Sequence, residues 1–209
     1  MDNYKNRTMK SITTLFILAI LTSCNFQKSS EKKEDIDTEL LSDKENNSQS
    51  DLGNLVSTIQ IGVKANKEQL QDFENGIVPW ISIENPEAEI SQLIEAESII
   101  VPDSEITLLI DYPLNKPAEF VLKSAGKGFT KKQLILEISK KYHEIYKEEE
   151  STAVTKTLPM EKRGSLINRN ETDGKYGVWG HDIGDLDLSA IDVYRSENGK
   201  ITISLGVES

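Results

Sequence analysis

Hydrophobic and polar residues alternate in residues 105–111, where three apolar side chains fall on one face: Ile106, Leu108 and Ile110. This period of two is typical of a β-strand with one buried face. Residues 118–123 repeat the alternation, with Phe120 and Leu122 on the apolar face, after a loop that contains two prolines. The two segments are therefore predicted to pair as a hairpin.

A second hairpin is predicted near the C-terminus. Residues 190–195 and 200–205 flank the dipeptide Asn198-Gly199, which is favoured in tight hairpin turns. The inward face of its second strand is formed by Ile201, Ile203 and Leu205.

The strongest helical pattern begins at Thr130, which forms a predicted capping box with Gln133. Apolar residues follow at helical spacing: Leu134, Ile138, Tyr142 and Ile145. The pattern ends near the three glutamates at 148–150. Because negative charge opposes the helix dipole at a C-terminus, this end is predicted to fray.

Weaker patterns predict four more elements: a strand at 57–63, a helix at 66–75, a strand at 77–83 that Pro79 makes either an edge strand or a broken one, and a short helix over 85–94. Residues 151–175 are predicted to form a long connection with one short strand at 153–158. The order of elements favours an α+β fold, with helices packed on a mostly antiparallel sheet.

The N-terminus has the three parts of a signal peptide. A basic start precedes the apolar run Leu15–Leu21, and two small residues lead to Cys24. Cys24 is the chain's one cysteine, so no internal disulfide can form. Either Met1 or Met9 fits as the first residue of this signal.

Leu21-Thr22-Ser23-Cys24 resembles the lipobox of bacterial lipoproteins. The resemblance implies that residues 1–23 are removed and that Cys24 carries a diacylglyceryl thioether and an acylated amine. Such chains anchor a protein stably, because each buried CH₂ contributes ~0.8 kcal/mol. Asn25, rather than Asp, favours the outer membrane. The alternative is a free cysteine after an ordinary secretory signal.

Residues 25–51 are dominated by charged residues and by Ser, Asn and Gln. A segment this polar cannot bury enough surface to offset its ordering entropy. With Cys24 it forms the predicted lipidated tether, 24–51, and residues 52–209 are predicted to form a single α+β domain.

Charge excludes one class of partner. The formal net charge is −11 over 209 residues, and so acidic a surface repels phosphate backbones. Nucleic acid is therefore not an expected partner, whereas the membrane is one through Cys24. No apolar stretch reaches the ~20 residues that a transmembrane helix needs.

Residues 176–188, YGVWGHDIGDLDL, contain the most unusual composition in the chain. Tyr176, Trp179, His181 and Asp182 are candidates for a binding loop. Imidazole and carboxylates also suit a divalent metal, for which the weak candidates are His181, Asp182, Asp185 and Asp187. The competing interpretation is structural, in which the glycines make turns, Trp179 fills a core gap and an aspartate caps backbone amides.

Other candidate chemistry is weaker. His143 lies off the apolar stripe of its helix, which favours a solvated side chain. Pairing it with His181 in catalysis would need a nucleophile, and no serine has a GxSxG context. Gly126-Lys127-Gly128 lacks the spacing of a phosphate loop. The helix start with Lys127, Lys131 and Lys132 remains an alternative anion site.

Residues 80–205 resemble a family of uncharacterised lipoproteins. The residues that carry this resemblance are 109–114, Gly128-Phe129-Thr130, Tyr142, Ile145-Tyr146, Asn168-Arg169-Asn170, Thr172-Asp173-Gly174 and, above all, the YGVWGHD segment 176–182. The resemblance implies lipidation and brings no activity, cofactor or catalytic residue with it.

The sequence therefore predicts a lipid-anchored protein of the bacterial cell envelope that binds a protein or small-molecule partner and needs no cofactor. The alternative is a hydrolase-like or metal-dependent enzyme that uses His181, Asp182 and nearby carboxylates. A third hypothesis is a structural spacer.

Replacing Cys24 with serine should move the protein from the membrane to the soluble fraction, because serine cannot form the thioether that carries the lipid. Fractionation of cells expressing each form measures the change. Unchanged membrane partitioning of Cys24→Ser would contradict lipid anchoring.

Overall fold

The computed structural model describes residues 52–164 and 168–209, which lie within one structural unit spanning residues 47–209. In chain order its strands and α-helix are β1 Asn54–Gln60, β2 Val63–Lys64, β3 Ile77–Val78, β4 Ile81–Ser82, β5 Ile99–Val101, β6 Glu105–Ile110, β7 Ala118–Lys123, β8 Phe129–Thr130, α1 Lys131–Thr152, β9 Asp187–Arg195 and β10 Ile201–Glu208. The predicted signal peptide 1–23, Cys24 and the tether to residue 51 lie outside the described residues.

The main sheet has the strand order β1-β9-β10-β6-β7, and β4 pairs with the start of β9. One neighbouring pair, β10 with β6, is parallel, and the other pairs are antiparallel. Both predicted hairpins are present, with Leu108 opposite Phe120 and Ile203 opposite Val193. The expected mixed fold with a mostly antiparallel sheet is confirmed.

The apolar stripe of α1 lies in the core. Its predicted members, Leu134, Ile138, Tyr142 and Ile145, are buried together with the inward side chains of β6, β9 and β10. The Tyr142 hydroxyl satisfies its buried donor by a 2.9 Å hydrogen bond to the backbone oxygen of Tyr112. None of the helices in the described ranges combines the length and hydropathy needed to cross a membrane.

The start of α1 confirms the capping box. The Gln133 amide donates to the Thr130 hydroxyl, and the Gln133 side chain accepts from the Thr130 amide. The amides of Lys131 and Lys132 donate to the backbone oxygens of Ser98 and Ala96. These backbone amides are therefore not open to an anion, and the alternative of an anion site with Lys127, Lys131 and Lys132 stays a prediction.

The two other predicted α-helices are wrong. Residues 66–75 form a single 3₁₀ turn at Gln69–Gln71, although Asn66 caps it as expected. Leu70 is 50% exposed, so this segment has no buried stripe to stabilise a longer helix.

Residues 85–94 form two 3₁₀ turns, Pro86–Ala88 and Ile90–Gln92. The backbone becomes extended at Leu93, which is buried opposite Val63, and the next amide, of Ile94, donates to the Gly62 oxygen. The pairing of Leu93 with Val63 therefore prevents the predicted helix from reaching residue 94.

Two predicted strands also differ. The first strand begins and ends earlier than 57–63, and Val63 belongs to β2. Residues 153–158 form no strand, and the 151–175 connection contains the end of α1 and a 3₁₀ turn at Met160–Lys162. The broken strand around Pro79 is confirmed as the short strands β3 and β4.

Candidate functional site

Residues 176–182, which we call the central segment, run between two other segments of the chain. On one side the amides of Asn115 and Lys116 donate to the oxygens of Gly177 and Tyr176 at 3.0 and 2.9 Å. On the other side the amides of Arg169 and Thr172 donate to the oxygens of Gly180 and Val178 at 3.0 and 2.9 Å. The central segment is therefore held along both edges.

The carboxylate of Glu149, near the end of α1, organises the start of the central segment. Glu149 is fully buried and accepts four hydrogen bonds, from the Thr172 hydroxyl at 2.7 Å and from the amides of Gly174, Tyr176 and Gly177 at 2.8, 2.8 and 3.1 Å. A Cβ on Gly174 would lie 2.7 Å from this carboxylate, so the close approach requires glycine.

These hydrogen bonds decide the charge of Glu149. Burial pushes its pKa upward, but the bonds from the Thr172 hydroxyl and the backbone amides outweigh burial, so its pKa lies below the usual value. The helix continues past Glu149 to Thr152. The prediction that the acidic end frays is therefore wrong, because loop amides solvate the carboxylate in place of water.

The neighbouring carboxylate supports the same loop. Glu148 accepts from the Tyr176 hydroxyl at 2.8 Å and forms an ion pair with Lys175 at 3.0 Å. Two consecutive glutamates of α1 thus hold one turn. Glu149 binds the backbone amides of this turn, and Glu148 binds the side chains of Lys175 and Tyr176.

Three half-buried rings meet at the far end of the central segment, and we call them the aromatic trio: Tyr112, Trp179 and His181. Tyr112 and Trp179 meet edge to face with ring centroids 5.3 Å apart. The His181 ring lies 5.7 Å from Tyr112 and 6.1 Å from Trp179. Tyr112 also packs against the core, whereas Trp179 does not, so the interpretation of Trp179 as filling a core gap is wrong.

Tyr146 and Arg169 support the aromatic trio by binding the backbone of the central segment. The Tyr146 hydroxyl donates to the His181 backbone oxygen at 2.9 Å, and the Arg169 guanidinium lies 5.0 Å over the Tyr146 ring. Burial raises the pKa of Tyr146, so its hydroxyl stays protonated and remains a donor.

Asp182 is held by an arginine. Arg163 donates two hydrogen bonds to its carboxylate, at 2.6 and 3.1 Å, and the Arg163 side chain is 6% exposed. The amide of Asp182 donates to the Asp185 carboxylate at 2.9 Å. The two carboxylates are therefore engaged in fixing the end of the central segment.

The weak metal candidates do not form a ligand set. Asp187 lies on β9, where burial and the carboxylates of Glu89 and Glu208 raise its pKa. Within the described ranges, no three His, Cys, Asp or Glu side chains come close enough to hold a metal ion.

The two histidines have separate surroundings. The exposed His143 donates from Nε2 to the Glu84 backbone oxygen at 2.8 Å. The His181 ring contacts the rings of Tyr112 and Trp179, and no described serine or carboxylate side chain hydrogen-bonds to it.

Sequence reasoning picked out Tyr176, Trp179, His181 and Asp182 but missed the groups that position them. Glu149 stood in an acidic run that resembles a solvated helix end. Tyr112, Tyr146 and Arg169 were visible only as members of the resemblance to the lipoprotein family.

Comparison with known proteins finds no match for this chain among family models, curated proteins or solved structures. The interpretation of the site therefore depends on its geometry.

Replacing Glu149 with glutamine should lower the free energy of unfolding by about 3 kcal/mol, because the amide nitrogen of glutamine would face backbone N–H donors and leave them unpaired. Urea unfolding followed by circular dichroism measures the change. Glu150→Gln is the matched control, since Glu150 is the next residue of α1 and is exposed, and it should change stability by less than about 0.5 kcal/mol. Equal effects of the two substitutions would contradict the role of Glu149.

The contribution of Glu149 should depend on pH. Its folded pKa is lowered, so the unfolded chain binds the proton first as pH falls. The stability difference between wild type and Glu149→Gln should be constant above the unfolded pKa of about 4.3 and should shrink as pH drops through the lower folded value. Urea unfolding of both proteins between pH 3 and 7 measures it. A difference that stays constant to pH 3 would contradict this assignment.

Proposed function

We propose that this protein is a lipid-anchored bacterial envelope protein whose body, residues 52–209, binds a partner through the aromatic trio. The predicted lipobox at Cys24 and the polar tether support the location. In this proposal the signal peptide is removed, the outer membrane is the favoured site, and the tether holds the α+β body near the bilayer.

The observation that carries the binding role is the placement of the aromatic trio. Rings of Tyr and Trp provide large contact area at small conformational cost, and they are enriched in the centres of interfaces. Here three rings lie half-exposed on chain that is hydrogen-bonded along both edges. A ligand would meet side chains whose ordering entropy folding has already removed.

A second surface is less suited to this role. A shallow depression of about 670 Å³ lies over β6, β7 and the β9–β10 turn. Four of its ten lining residues are charged, and its three carboxylates already have cationic partners, as Glu105 pairs with Lys123, Glu119 with Lys200 and Asp103 with Arg195. It offers no aromatic ring to a ligand.

Capture from membranes tests the proposal. The anchored protein, crosslinked in cells and purified, should retain its partner. Trp179→Ala should reduce the amount of captured partner about thirtyfold, as expected for a hot-spot tryptophan that contributes about 2 kcal/mol to binding. Trp80→Ala is the control, because Trp80 is also half-buried and also has an edge-to-face aromatic contact, with Phe73 at 5.4 Å, but is not a member of the aromatic trio. Equal capture by the two folded variants would contradict binding through the aromatic trio.

A further inference from the structure

Arg169 is a buried cation whose Nε has no acceptor among the described residues. The residue is 7% exposed, and its Nε has no hydrogen-bond partner. Its guanidinium lies over the Tyr146 ring, and its backbone amide binds the Gly180 oxygen, between Trp179 and His181 in the chain. Arg169 is therefore placed directly against the part of the central segment that carries two members of the aromatic trio.

This arrangement is costly for a guanidinium. Arginine cannot lose its proton in a protein, and buried charges are normally paired and hydrogen-bonded. Contact with the face of an aromatic ring offsets part of the cost but leaves the Nε–H donor, which lies in the plane of the guanidinium, unused.

The other two arginines in the described ranges show the usual solution. Arg163 binds Asp182 at 2.6 Å, and Arg195 binds Asp103 at 3.3 Å. Two carboxylates at the end of the central segment are already engaged, since Asp182 accepts from Arg163 and Asp185 accepts from the Asp182 amide. Arg169 thus lacks the carboxylate partner that each of the other two has.

We propose that Arg169 binds an oxyanion, a carboxylate or a phosphate group, on the ligand that the aromatic trio receives. This inference rests on the proposed binding function and names the chemistry of its ligand. The planar guanidinium fork matches the two oxygens of either group, while the rings cover the adjoining apolar part. The net charge of −11 disfavours polyanions, so the ligand presents one small anionic group.

The test is a titration of the full-length lipidated protein in neutral detergent micelles, followed by ¹H–¹⁵N NMR of the arginine Nε–H signals. The probes are sodium benzoate, sodium acetate and inorganic phosphate, each compared with sodium chloride at equal ionic strength. The Arg169 signal, identified by its loss in Arg169→Lys, should shift saturably with benzoate and acetate, with phosphate, or with all three. Benzoate binding tighter than acetate would add support for the contribution of the rings.

Arg169→Gln should weaken binding of the effective probe at least about tenfold, the loss expected for a charge-assisted hydrogen bond. Arg195→Gln, which removes an arginine already paired on the surface, should leave binding unchanged. If Arg169→Gln does not fold, the wild-type titration decides the question alone. An Arg169 signal that responds to no probe more than to chloride would overturn the inference.

The two proposals can fail separately. Capture that depends on Trp179, together with an unresponsive Arg169 signal, would overturn oxyanion binding by Arg169 but support partner binding by the aromatic trio. A responsive Arg169 signal, together with capture that ignores Trp179, would support the oxyanion and overturn the partner role of the aromatic trio. Carboxylate and phosphate sources are distinguished by which probe saturates.

Discussion

The buried carboxylate of Glu149 is the interaction on which the site depends. It accepts hydrogen bonds from the hydroxyl of Thr172 and from three backbone amides that have no partner within a strand or helix. A loop with so many donors would otherwise need water or would leave polar groups unpaired. Because the carboxylate belongs to a helix whose apolar stripe is in the core, the loop is fixed to the most buried part of the fold.

The rest of the site follows from that attachment. Once residues 174–177 are fixed, the chain to residue 182 extends between two neighbouring stretches, and Trp179 and His181 come to lie beside Tyr112. Arg163 then holds Asp182 at the far end. The rings are thus presented by a segment bound at its start, along its edges and at its end.

Local patterns predicted the parts of the fold that depend on neighbours in the chain. The two hairpins and the capped helix from Thr130 were predicted, because alternation, turn residues and capping act over a few residues. The helices at 66–75 and 85–94 failed because their lengths are marginal, and long-range pairing of Leu93 with Val63 outweighed local preference. A short helix is stable only where tertiary packing supports it.

The sequence by itself determined the composition of the central segment, the acidic character of the chain, the lipobox pattern and the helix that carries Glu149. Only the tertiary structure decided that Glu149 is buried rather than solvated, that Tyr112 joins Trp179 and His181, and that Arg169 is enclosed without an acceptor. The physical reason is distance along the chain. The charge state of Glu149 depends on residues 23 or more positions away, and the ring that Arg169 covers, Tyr146, is equally distant in the chain, which no local period encodes.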